Sequence, residues 1–153
     1  MFHLKLETPF GHGYNVITEE GEHSNDTMMD FGILRLQAEE VYDCSLKKER
    51  AFLLMKGRVS FHVNGTEKQA ERQSLFEENP VVLHVPPGTP VKIIAGTEAE
   101  IAVIRTRNEK EFTPKLYEQG DTRDEHRGAG TMGETSTRIV RTIFDDSNAP
   151  EAN

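Results

Sequence analysis

Between residues 31 and 104 the chain is cut into short runs of β-branched and aromatic residues, each closed by turn residues. That spacing argues for an all-β sandwich or barrel. Phe31-Gly32-Ile33-Leu34-Arg35-Leu36 and Val59-Ser60-Phe61-His62-Val63 alternate with period two, and Ala51-Phe52-Leu53-Leu54-Met55 is continuously apolar. Asn64-Gly65, directly after one such run, is the strongest short signal for a two-residue hairpin. Val81-Val82-Leu83-His84-Val85, Val91-Lys92-Ile93-Ile94-Ala95 and Ile101-Ala102-Val103-Ile104 continue the style. The Pro86-Pro87-Gly88-Thr89-Pro90 cluster between the first two cannot lie in a central strand and marks a corner. No helical period competes; Thr113 to Thr122 supplies one short helix at best.

These signals divide the chain into an irregular N-terminal segment over 1–30, a barrel over 31–117, a polar Gly-rich linker over 118–137, and a strand with a tail over 138–153. Gly11, Gly13 and Gly21 speak for irregularity in the first segment. A strand as late as Arg138 to Phe144, after such a linker, leads toward something further on. At 153 residues one core is expected.

Charge and cysteine content narrow the function classes. Eighteen basic against 26 acidic residues give a net charge of −8, which repels a phosphate backbone, so nucleic acid is not expected as a partner. No apolar run reaches the length of a membrane span, roughly 18 residues, and Met1-Phe2-His3-Leu4-Lys5-Leu6 lacks the marks of a signal peptide, so neither is expected. The single Cys44 suits a reducing cytoplasm, and its weakly basic neighbours Lys47 and Lys48 make it a plain small side chain rather than a nucleophile. The acidic tail from Asp145 to Glu151 reads as solvated chain.

Two frames resemble the motifs of the cupins, small double-sheet barrels of the jelly-roll type, also called double-stranded β-helices. The first cupin motif runs His-x-His, three or four residues, Glu, six residues, Gly, and the second runs Pro-x-Gly, two residues, His. Glu49 with Gly57 is read as the end of the first, and Pro86-Pro87-Gly88 fits the second. Counted back from Glu49, the two imidazole positions fall on Tyr42 and Cys44 or on Asp43 and Ser45, and the last falls on Val91. One carboxylate does not hold a divalent metal that needs several N and O donors at about 2.0–2.2 Å, so no metal is expected in this barrel. His62 and His84 lie in strands without a second ligand two residues away and read as hydrogen-bonded or exposed imidazoles. His3, His12 and His23 fall in the N-terminal segment and His126 in the linker.

The order Glu49-Arg50, Leu54-Met55-Lys56-Gly57-Arg58, Val63-Asn64-Gly65, Arg72, Val85-Pro86-Pro87-Gly88 and Arg127-Gly128-Ala129-Gly130 with Arg138 and Arg141 is similar to the N-terminal half of the 5-deoxyglucuronate isomerases of inositol catabolism. These are related to the 5-keto-4-deoxyuronate isomerases. The resemblance implies a two-barrel protein whose divalent metal sits in a C-terminal half, and an aldose-ketose isomerisation of an acidic sugar. Such chemistry needs a base, stabilisation of an oxyanion and a cation for the substrate carboxylate. Arg50, Arg127, Arg138 and Arg141 are the candidates for that cation, each weighed against a surface or inter-domain ion pair. Glu49 is the weak candidate for a base: burial with a raised pKa would suit the role, and unchanged turnover in Glu49→Gln would exclude it. Two readings stand. In the first, this is a scaffold half of the isomerase, inactive alone and in contact with a second cupin half or with copies of itself. In the second, it is a free-standing metal-free cupin that binds a small acidic sugar or acts as an interaction module.

Overall fold

The computed structural model describes residues 9–21 and 27–153. Their strands are β1 (Gly13–Thr18), β2 (Asp30–Leu36), β3 (Val41–Cys44), β4 (Glu49–Val63), β5 (Thr66–Arg72), β6 (Val81–Val85), β7 (Val91–Ala95), β8 (Ala99–Thr106), β9 (Lys115–Tyr117), β10 (Arg123–Arg127) and β11 (Arg138–Thr142). All pairings are antiparallel. One face of the barrel runs β1-β2-β8-β4-β6-β9 and the other β3-β7-β4-β5. The all-β jelly-roll expectation therefore holds. Among the described residues no helix is long and apolar enough to cross a membrane.

The 15-residue β4 belongs to both faces. Its start pairs with β6 and β8 through Leu54, and its end pairs with β5 and β7 from Gly57 and Val59 onward. Between them the register against β8 shifts at Leu54/Lys56, and Gly57 takes φ +106°. A β-bulge with a glycine in that conformation is how a strand turns a barrel corner. A Cβ on Gly57 would lie 2.8 Å from the Ala99 Cα and closer still to the Glu98 carbonyl oxygen. Gly57→Ala is expected to cost about 2–3 kcal/mol through strain and backbone clash, read as a lower urea midpoint with unchanged slope.

Period-two alternation sends Phe52, Leu54, Val59 and Phe61 of β4 inward against Leu34, Leu83, Ile93 and Ile101, all fully or almost fully buried. The turns follow their sequences. Asn64 and Gly65 both have positive φ and close a two-residue hairpin between β4 and β5, with Val63 opposite Thr66. The Pro86-Pro87-Gly88 corner joins β6 to β7, and the Gly88 amide donates to the Leu46 carbonyl at 2.9 Å.

Three segments depart from the sequence expectation. Residues 13–18, placed in the irregular segment, form edge strand β1, registered on β2 from Gly13 opposite Arg35 to Thr18 opposite Phe31. The Tyr14 ring lies over Gly32, where an added Cβ would come within 2.6 Å of it, and the Asn15 amide ties Gly11, Gly13 and Ile33 together. Part of the 118–137 linker is β10, which pairs with β11 from Arg123 opposite Thr142 to Arg127 opposite Arg138. Every residue of β10 is exposed, so this ribbon carries no apolar alternation to betray it. The short helix considered at Thr113–Thr122 is instead β9 and a single 3-10 turn at Gln119–Asp121. His3 and His23 lie outside the described residues.

Candidate functional site

The start of β4 carries two charged residues in succession, Glu49 and Arg50, and the alternation of a strand sends them to opposite faces. Arg50 shares the inward face with Phe52 and Leu54, all three fully buried. Its Nε donates to the Lys48 carbonyl at 3.1 Å, Nη1 to the Cys44 carbonyl at 3.2 Å and toward Cys44 Sγ at 3.5 Å, and Nη2 to the Pro86 and Thr89 carbonyls at 3.1 and 2.7 Å. The guanidinium thus ties the β3–β4 turn to the Pro-Pro-Gly corner. None of its three nitrogens is left for a ligand, which corrects its placement as a substrate cation.

The burial also moves the first cupin frame by one position. Seven residues, 50–56, separate Glu49 from Gly57, while six separate Arg50 from Gly57. Arg50 therefore stands inside the barrel where the motif has its metal carboxylate, and Glu49 faces outward. A one-residue step is a change of face in a strand. Counted from Arg50, the imidazole positions fall on Cys44 and Leu46 or on Asp43 and Ser45. Val91, at the last one, is core hydrocarbon. A guanidinium, a buried thiol and a valine do not fit a divalent cation. Among the described residues no three His, Cys, Asp or Glu side chains converge as a metal site.

Glu49 is buried on the outer face of the sheet, where its Oε1 meets His84 Nε2 at 2.6 Å. Asn108 Nδ2 donates to its Oε2 at 2.6 Å, and the Asn153 amide does so at 3.1 Å. Burial alone pushes the Glu49 carboxyl up, but hydrogen bonds from His84 and Asn108 outweigh it and hold the group below the usual carboxylate range. Glu49 is thus a hydrogen-bonded structural carboxylate, without the raised pKa that the weaker alternative of a base would need. As a carboxylate Glu49 only accepts, so His84 Nε2 carries the proton between them, and in the neutral ring Nδ1 is the acceptor.

His84 is 3% exposed and held between aromatic rings. Phe144 stacks on it at 4.5 Å between centroids and 8° between planes, and Phe112 tilts against it at 4.6 Å. The covering segment is the tail after β11, pinned by Asn108 to the Glu151 carbonyl at 2.7 Å and by Lys110 to the Pro150 carbonyl at 3.2 Å. Beside the imidazole a cavity of about 280 Å³ is lined by Phe112, Lys115, Tyr117 and residues of this tail. The reading of His84 as a hydrogen-bonded imidazole holds. Its pairing with Glu49, 35 residues away, has no local signature.

The other candidates are scattered. Arg127 is exposed on β10 and pairs with Glu125, its Nε 3.0 Å from Oε2, an arrangement worth roughly 0–1 kcal/mol. Arg138 is exposed on β11 and donates to the Ser136 carbonyl. Arg141 is half-buried on the same strand, its Nε without a hydrogen-bond partner among the described residues. Burial and the nearby Arg141 charge together lower the Arg72 pKa. His12 reaches Gln37 Nε2 at 3.0 Å, His126 is exposed on β10, and His62 Nε2 is buried without a partner among the described residues. Cys44 is a buried free thiol.

Sequence reasoning passed over Arg105. Inside the barrel its Nη2 donates to Tyr42 Oη at 3.0 Å and its guanidinium lies 4.0 Å over the Tyr14 ring. Burial pushes the Tyr42 phenol up to about 12. Arg105 Nε and Tyr14 Oη are buried without partners among the described residues.

A model of the KduI/IolB family matches residues 3–153. The 5-deoxy-glucuronate isomerases of Bacillus subtilis subsp. natto and of Bacillus subtilis strain 168 are each 28% identical over 146 residues, which cover 92% of this chain and 52% of the relative. The crystal structure of an IolB-like protein from Salmonella typhimurium LT2 superposes with a TM-score of 0.79 at 25% identity, covering 91% of this chain and 52% of that one. The chain thus spans about half the length of the relatives it matches.

Proposed function

Because this chain belongs to the KduI/IolB family, we propose that it is the metal-free cupin half of a sugar-acid isomerase of the 5-deoxy-glucuronate isomerase type, acting in inositol catabolism. It supplies scaffold and interfaces, while a second, metal-bearing barrel supplies the electrophile for the aldose-ketose interconversion. The observation that carries this reading is Arg50: a fully buried guanidinium occupies the motif position of the metal carboxylate and is wholly engaged by backbone carbonyls. The 52% coverage of the relatives supports a second barrel, in the same chain or in a partner, and contact with that barrel or with another copy is part of the proposal.

Purified protein of this sequence, incubated with 5-deoxy-glucuronate and added Zn, Mn or Fe, is expected to show no turnover by NMR. Elemental analysis is expected to find no stoichiometric transition metal. One full equivalent of metal, with turnover that a chelator abolishes, would overturn the scaffold reading.

A second reading, a barrel that binds a small sugar acid without catalysis, draws support from Arg105 Nε and Tyr14 Oη, buried and unengaged by described residues inside the barrel. Buried donors in that condition are satisfied by a ligand oxygen or by water. Arg105→Gln with unchanged affinity for a sugar acid would remove that support.

A further inference from the structure

Three polar atoms, Arg72 Nε, Arg141 Nε and Thr122 Oγ1, are buried without a hydrogen-bond partner among the described residues. Each carries a hydrogen to donate. They come from β5, from β11 and from the residue before β10, where the ribbon rests on the β5–β6 loop. Asn79 Nδ2 of that loop donates to the Gln119 carbonyl at 3.2 Å, and Gln119 Nε2 approaches Glu78 Oε2 at 3.4 Å. The turn that ends at Thr122 is therefore seated on the loop. Arg72 reaches the same loop from the barrel, its Nη2 donating to the Leu75 and Glu78 carbonyls at 2.9 and 3.0 Å. On the ribbon Arg141 stands opposite Asp124, and the alternation of extended backbone puts Thr122 on the face of Asp124.

The charges in this seam do not balance. Arg72 is 3% exposed, and burial together with the positive charge of Arg141 lowers its pKa against an opposing pull from Glu78. Glu78 spends its Oε2 on the Gln73 amide at 2.9 Å and on Gln119, and it meets neither orphaned Nε. Two cations thus share a buried seam in which three donors have no acceptor, and an anion among them replaces repulsion by attraction.

We propose that this seam binds a small tetrahedral oxyanion, phosphate or sulfate, which accepts from Arg72 Nε, Arg141 Nε and Thr122 Oγ1 together. A carboxylate is gripped best by Nε and Nη of one guanidinium side by side, and Arg72 Nη2 already donates to two carbonyls. A tetrahedral ion instead offers oxygens in separate directions to three single donors. Water has two lone pairs for three donors and leaves the like charges uncompensated. The site requires neither a second barrel nor a metal, so it stands apart from the isomerase reading.

The test is calorimetric titration with inorganic phosphate at an ionic strength held constant with chloride, alongside the Nε–H signals of ¹⁵N-arginine-labelled protein. Saturable binding in roughly the millimolar range or tighter is expected, with the Arg72 and Arg141 signals moving, sulfate competing and acetate failing to compete. Arg141→Met is expected to lower phosphate affinity about tenfold or more, and Thr122→Val about threefold. Thr122→Val keeps the side-chain volume and serves if Arg141→Met does not fold. Lys68→Met, at an exposed position of β5, is expected to leave the affinity unchanged. Absence of saturable binding overturns the proposal and assigns the three donors to water. Acetate binding as tightly as phosphate overturns it in favour of a carboxylate, such as a side chain of a second copy. Equal losses in Lys68→Met and Arg141→Met, or none in Arg141→Met and Thr122→Val, overturn it by placing the ion elsewhere on the surface.

Discussion

Arg50→Met is expected to lower the unfolding free energy by about 3–5 kcal/mol, because the substitution removes the donors that four backbone carbonyls use. The methionine fills much of the volume, so the loss is one of hydrogen bonding rather than of packing. An unsatisfied buried carbonyl costs about 1–3 kcal/mol, and those of Cys44 and Pro86 are the most enclosed. Arg50→Lys recovers only part, since an ammonium cannot reach the β3–β4 turn and the β6–β7 corner with a planar fork. Urea unfolding followed by far-UV circular dichroism measures both. A loss under about 1 kcal/mol in Arg50→Met would show that the corner is held by something else.

The second large effect concerns acid. The folded-state pKa of Glu49 is depressed, so its contribution is present above the ordinary carboxylate pKa of about 4.3 and fades as pH falls through the lower folded value. Asp30 and Asp145 are shifted in the same direction, Asp145 to about 2, so the whole protein loses stability in acid. The difference between wild type and Glu49→Gln isolates one group. It is expected to be about 2–3 kcal/mol at neutral pH and to shrink toward low pH as the wild-type carboxyl takes up its proton. Amide exchange in residues 144–153 is expected to quicken in Glu49→Gln, because the tail's Asn153 amide donates to that carboxylate. A stability difference that stays constant from neutral pH to acid would refute the assignment of an ionised Glu49 to His84.

Local chemistry was legible where it acts locally. Asn64-Gly65 demands positive φ at two consecutive positions and makes a hairpin, and Pro86-Pro87-Gly88 makes a corner, because turn residues fix their own backbones. The barrel followed from the same signals. Edge strand β1 was not legible, since Tyr14 is stabilised by the bare backbone of Gly32 in another strand, and β10 was not, since a ribbon solvated on all sides has no apolar side. The site was half legible. The pair Glu49-Arg50 stood out, yet which of them faces inward depends on where β4 begins its pairing, and a motif frame shifted by one residue gives the opposite answer. His84 needed Glu49, Asn108 and Phe144 from distant stretches, and no spacing in the chain announces that meeting.

The adjacency of Glu49 and Arg50 has a consequence for alternative pairings of the chain. Were β4 to slide by one residue against β6 and β8, the carboxylate would enter a corner made of carbonyl oxygens, and the guanidinium would replace it as the neighbour of His84. Either exchange buries a charge among groups of the wrong polarity, at several kcal/mol each. Two neighbouring residues of opposite sign therefore exclude the misaligned barrel more firmly than the hydrocarbon around them, which would tolerate a shuffled order of valines and leucines.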